Sequence, residues 1–182
     1  MKKSKLKTIE TKVSSLLERS SVTKAPIEVE RIADDLGIVL KRTPSEDEIS
    51  GFLLRNADGN AIIGVNMLHH PNRQRFTIAH EIGHYMLDHA FDQVHVDRSV
   101  MKLRSSASSS GEDQDEVEAN RFAAELLMPR KFLSEDIQSL TITDLLDDKR
   151  MQQLARRYQV SVQAMTNRLI TLEFLSPDDL DG

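Results

Sequence analysis

Arg75-Phe76-Thr77-Ile78-Ala79-His80-Glu81-Ile82-Gly83-His84-Tyr85-Met86-Leu87 is the stretch that decides how this chain reads. Its apolar residues recur at helical spacing, and the pattern predicts a helix over residues 75 to about 91. On that helix Ala79, Ile82, Gly83, Met86 and Ala90 make an apolar stripe, while Thr77, His80, Glu81, His84 and Asp88 fill another sector. The first face is expected to pack and the second to open on a site. His80 and His84 are one turn apart, about 6 Å along the axis, close enough for both imidazoles to reach one ion. Glu81 stands about 100° round the helix from His80. That angle takes it out of the chelating pair and leaves it placed to accept a proton from water attacking beside the ion. The motif therefore predicts metal-assisted hydrolysis, against the plainer reading of two solvated histidines.

A catalytic metal needs a third protein ligand and an open position. The chain has no cysteine, which excludes a thiolate. The longer histidine motif is excluded as well, because Leu87 and Ala90 occupy the positions of its glycine and third histidine. His89 is out of phase with His84 unless the helix breaks. The next predicted helix, residues 113–128 before Pro129, carries several acids that phase separates. Glu116, Ala119, Asn120, Ala123 and Leu127 share one mostly apolar face; Glu118, Arg121 and Glu125 share the opposite one. A carboxylate on a core-facing stripe is costly unless paired or bound to a cation, which makes Glu116 the expected third ligand. The alternatives are a salt bridge from Glu116 to Arg75 or Arg121, or ligation by Glu118 or, more weakly, Glu112. Asn120, one turn on, is positioned to hold a histidine ligand by hydrogen bonding.

The remainder reads as scaffold. Ile9, Val13, Leu16 and Leu17 predict a helix over residues 8–20, and Ile27, Val29, Ile32, Ala33 and Leu36 a second one ended by Gly37. Ile38-Val39-Leu40, Gly51 to Arg55 and Ala61 to Val65 predict three strands, the last two a hairpin around Asn56-Ala57-Asp58-Gly59, in a small antiparallel sheet. Residues 104–115 are Ser-rich, then acidic, and read as a surface loop. Residues 145–174 predict two or three short helices with Ser161 as an N-cap, an arrangement like a helix-turn-helix. On its second helix Arg168 is the single cation, so a structural pair is favoured over a DNA-binding one.

The chain has 182 residues, 39% hydrophobic and 29% charged, the balance of a soluble globular protein with a real core. A net charge of -5 gives no field drawing the whole protein to nucleic acid or acidic lipid. Lys2, Lys3, Lys5 and Lys7 open the chain without an apolar run behind them, so no signal peptide or membrane span is expected and a cytoplasmic location is.

The stretch Arg75 to Leu87, together with Glu116-Val117-Glu118-Ala119-Asn120-Arg121-Phe122-Ala123-Ala124-Glu125-Leu126-Leu127-Met128-Pro129, resembles the ImmA/IrrE family of bacterial and phage metallopeptidases. The likeness extends to residues 26–37 and, more loosely, to the helical C-terminus. It implies an α+β, mainly helical, zincin-like domain over residues 1–135 and a helical subdomain over 136–182. It implies zinc, with manganese as a second option, held by His80, His84 and Glu116, with Glu81 as the base. It implies a helix-turn-helix repressor as the substrate, cleaved to induce stress-response, prophage or mobile-element genes. The rival is a regulator that binds DNA or protein and keeps only a structural metal site. His89, His95, Tyr85 and Tyr158 are the candidates for stabilising an oxyanion.

Overall fold

The computed structural model describes residues 3–45, 49–55, 60–89, 94–98 and 112–180. Helix α1 (Lys3–Arg19) turns Ile9, Val13, Leu16 and Leu17 inward, and α2 (Val29–Asp35) does the same with Val29, Ile32 and Ala33. Gly37, at φ 73, takes the left-handed turn that ends this segment and starts β1 (Ile38–Thr43). Strands β2 (Ile49–Arg55), β3 (Ala61–Asn66) and β4 (Val94–Arg98) complete the sheet.

The fold is α+β, as expected, but the sheet is mixed and four-stranded, in the order β1-β3-β2-β4. Strands β2 and β3 pair antiparallel as predicted, whereas β1 runs parallel to β3, which corrects the expectation of an antiparallel three-stranded sheet. The reason is topological. The chain reverses between β1 and β2 and again between β2 and β3, so β3 points as β1 does. β3, with Ala61, Ile63 and Val65 buried, takes the interior place between its neighbours. β2 then serves as the crossover that a parallel pair needs. The fourth strand was not anticipated. The expected turn at residues 56–59 lies outside the described residues.

Helix α3 (Pro71–Leu87) begins four residues earlier than its apolar spacing predicts. Pro71 occupies the first helical position, where its missing N–H costs nothing, and His70 Nδ1 accepts from Asn72 N at 3.2 Å. Helix α4 (Glu112–Leu127) packs along α3 and against α1. Helices α5 (Arg130–Ile137), α6 (Ile142–Leu146), α7 (Asp148–Tyr158) and α8 (Val162–Thr171) follow, with a short 3-10 turn at Pro177–Leu180. Ser161 caps α8 as predicted, its hydroxyl accepting from Ala164 N at 3.1 Å. Among the described residues no helix is long and apolar enough to cross a membrane.

Arg168, the single cation of α8, faces inward, in keeping with a structural pair of helices. It is buried at 2% exposure, its Nε donates to Met128 O at 3.0 Å, and its Nη2 pairs with Glu125 at the end of α4. α8 is thereby tied to the helix that carries Glu116.

Candidate metal centre

Helices α3 and α4 approach so closely because of Gly83. A methyl group added there would stand 3.1 Å from Ala119 O and 3.1 Å from Phe122 Cβ, so the space is filled by α4 itself. Gly83 lies inside the motif and Ala119 one turn beyond Glu116, so this contact sets how far the third carboxylate stands from the histidines. Gly83→Val is expected to destabilise the fold by about 1–3 kcal/mol through overpacking. It should also loosen the cluster of His80, His84 and Glu116 and so weaken any metal held there, because α4 must retreat. Thermal melting with and without zinc would check this; a variant that melts lower yet binds zinc as tightly as wild type would separate the packing from the site.

The geometry follows from that approach. His80 Nε2 and His84 Nε2 are 3.0 Å apart, His80 Nε2 is 3.4 Å from Glu116 Oε2, and His84 Nε2 is 3.2 Å from Glu116 Oε1. Three ligand atoms around a tetrahedral zinc, each at about 2.0–2.1 Å, would be separated by about 3.3 Å. The observed separations match that figure, and two imidazoles with a carboxylate form a donor set suited to zinc. Each imidazole is also held from behind. His80 Nδ1 lies 3.1 Å from Asn120 Oδ1, the support expected of Asn120, and His84 Nδ1 lies 2.9 Å from His89 Nδ1.

Two features of the helix-wheel reading are corrected here. α3 does not have one packed and one open face: Thr77, His80, Glu81 and His84 are as buried as Ile78, Ala79 and Ile82. Glu81 is fully enclosed beside the cluster, and Ala90 lies outside the described residues. On α4 the supposed outer face is covered. Glu118 meets Lys5 of α1 at 2.6 Å and Glu125 meets Arg168 of α8, and both acids are buried. Glu116, at 34% side-chain exposure, is the more open carboxylate. It faces the histidines from the rim of the cluster. Glu118 Oε2 lies 3.7 Å from His89 Nε2 rather than on the histidine pair, and the Glu112 side chain lies outside the described residues.

The last turn of α3 is fixed by groups that carry no motif. Asp88 adopts a left-handed conformation at φ 56, and the N–H of His89 bonds His84 O at 3.2 Å. Arg55, at the end of β2, reaches His84 O at 3.1 Å, Tyr85 O at 2.7 Å and Asp88 Oδ1 at 2.9 Å, while Lys12 Nζ bonds Met86 O at 2.6 Å. Both cations sit where the helix dipole favours them. No sequence pattern marks Arg55 for this role, because its partners lie 29 to 33 residues along the chain.

Around His89 the electrostatics are strongly balanced. Burial pushes its imidazole pKa down, and Asp115 and Glu118 oppose that shift. Burial alone would raise the Glu118 carboxyl, but hydrogen bonds from Lys5 and Gln114 outweigh it and hold the group below the usual carboxylate range. Of the oxyanion candidates, Tyr158 is fully buried and donates to Asp136 Oδ2 at 2.7 Å; burial, then that bond, raises its pKa. Tyr85 lies beneath the Arg55 guanidinium, 5.0 Å from its carbon. His89 backs His84 on the ring edge away from the cluster. His95 belongs to β4, opposite Leu53.

The family model described as the IrrE N-terminal-like domain, a peptidase family, matches residues 33–170. No curated protein matches the chain. Among solved structures, a Mycobacterium tuberculosis transcriptional regulator is similar at a TM-score of 0.56 and 16% identity, over 94% of this chain and 49% of that one. The chain thus spans about half the length of that regulator, and the likeness is one of fold.

Proposed function

The chain belongs to the IrrE N-terminal-like domain family, and from that premise we propose that it is a zinc-dependent endopeptidase acting on a helix-turn-helix repressor. The observation that carries the reading is the convergence of His80, His84 and Glu116 on one point beside the buried Glu81. Zinc held there would lower the pKa of water toward about 7 and polarise the scissile carbonyl. Glu81 would take the proton of the attacking water and deliver it to the leaving amine. His80 and His84 would present Nε2, with Asn120 fixing the His80 ring. Residues 1–135 would form the peptidase domain and 136–182 a helical subdomain. Repressor cleavage, and with it induction of stress-response, prophage or mobile-element genes, is drawn from the family resemblance, and a cytoplasmic location from the lysine-rich start without an apolar run behind it.

The rival, a DNA-binding regulator with a structural metal, is weakened by Arg168. The one cation of α8 is committed to Glu125 and Met128 and is not available to a phosphate.

The metal assignment is tested by replacing the two nearby acids in turn. Wild type should hold one zinc per chain. Glu116→Ala should lose affinity by more than about 100-fold, the upper range for residues that merely support a ligand. Glu118→Ala should keep the stoichiometry. Equal zinc content in both variants by metal analysis would refute Glu116 as a ligand.

A further inference from the structure

His89 lies outside the motif, yet it is 7% exposed, with Nδ1 in hydrogen-bond contact with His84 and Nε2 facing two carboxylates just beyond hydrogen-bond reach. On a continued helix, position 89 would stand about 140° round from position 84. The left-handed turn at Asp88 ends the helix and swings His89 back, with its ring centroid 4.9 Å from that of His84 and the planes at 75°. Its Nδ1 lies 2.9 Å from His84 Nδ1, and its Nε2 lies 3.8 Å from Asp115 Oδ1 and 3.7 Å from Glu118 Oε2. The other oxygen of Glu118 is already taken, accepting from Lys5 Nζ at 2.6 Å and Gln114 Nε2 at 2.9 Å.

We propose that His89 is a positioning residue for His84, in a chain running from Lys5 through Glu118 and His89 to the His84 ring. The inference rests on the metal-site reading given above. The protons can be assigned along the chain in one consistent way. A His84 that presents its Nε2 lone pair to a cation must carry its proton on Nδ1. That proton is donated to His89 Nδ1, so the proton of His89 sits on Nε2, directed toward the carboxylates of Glu118 and Asp115. Lys5 and Gln114 hold Glu118 in place, so its second oxygen stays available to His89. His80 has a neutral amide, Asn120, in the corresponding position. His84 has an imidazole backed by negative charge, which both locks its tautomer and makes Nε2 the stronger donor. The chain also joins three elements, α1, the end of α3, and α4, at the point where the ligands must stay in register.

The test compares zinc affinity with folding in the full chain. His89→Leu fills the volume without an acceptor; His89→Asn keeps an oxygen near the place of Nδ1. Zinc dissociation constants from competition with a chromophoric chelator should rise by about 10–100-fold for His89→Leu. His89→Asn should recover most of that loss, and Glu118→Gln should fall between them. Melting temperatures of the metal-free Leu and Asn variants should agree with each other, because the acceptor matters to the loaded site. If His89→Leu binds zinc as tightly as wild type, or Leu and Asn weaken it equally, the proposal fails while the metal site stands. A wild type with no zinc affinity overturns the metal site and this proposal together.

Discussion

Glu81→Gln is expected to reduce peptide hydrolysis by about 10²–10⁴-fold while leaving zinc content unchanged. That loss corresponds to about 2.7–5.5 kcal/mol of transition-state stabilisation, the amount a positioned general base supplies. The substitution suits this site because Glu81 is fully enclosed. Gln preserves its volume and one acceptor oxygen, so packing around α3 is disturbed little. What disappears is the capacity to receive and return a proton. The residue neighbours His80 in sequence but stands off the chelating pair, so the ligand separations of 3.0, 3.4 and 3.2 Å should persist. The assay would incubate zinc-loaded wild type and variant with a candidate helix-turn-helix repressor and follow cleavage by mass spectrometry. Equal cutting by both removes Glu81 from the mechanism. If neither cuts that repressor but wild type alone degrades other unfolded peptides, the substrate is wrong and the base is right.

How much of this was legible in the sequence depended on whether both partners of a contact lay on regular helices. His80 with His84, and Glu116 with Asn120, are each separated by about one turn, and the structure brings each pair onto one side of its helix, around the histidine cluster. Phase makes Glu116 the inward acid, yet Glu118 and Glu125 are the buried ones, because α1 and α8 cover the opposite face of α4. Lys5 lies 113 residues from Glu118, and no local pattern encodes such a pairing. Phase keeps His89 out of the ligand cluster, as expected, but the left-handed residue Asp88 swings it back behind the His84 ring, a contact that phase on a continued helix would not give. The parallel pairing of β1 was hidden for a similar reason, since strand neighbours are chosen by burial rather than by order along the chain. In the C-terminal segment the periodicity of Leu154, Ala155, Tyr158, Met165, Leu169 and Leu172 did predict the buried face. It said nothing about Arg168, which reads as a surface cation in any sequence window.

Arg168→Met should destabilise the protein by about 3–5 kcal/mol, the cost of leaving one half of a buried ion pair behind. Glu125 would stay in a site of 7% exposure without its guanidinium partner, and Met128 O would lose the Nε donor that now lies at 3.0 Å. Unfolding in urea should show the midpoint falling with an unchanged slope, as expected when native-state stability alone changes. The double variant Arg168→Met, Glu125→Met should be less destabilised than the single one. It removes the stranded charge and leaves Arg130 N, now 3.3 Å from Glu125 Oε1, to be solvated at an exposed residue. A single variant as stable as wild type would mean that the pair contributes nothing net and that α8 is held by apolar contacts alone. The same variants separate the two accounts of the C-terminal helices. An arginine that reads DNA can be replaced at little cost to folding and at a large cost to salt-dependent binding. An arginine that fastens α8 to α4 costs stability and leaves any DNA affinity as it was. The second pattern would make the helix-turn-helix likeness a packing device for the helix that carries Glu116.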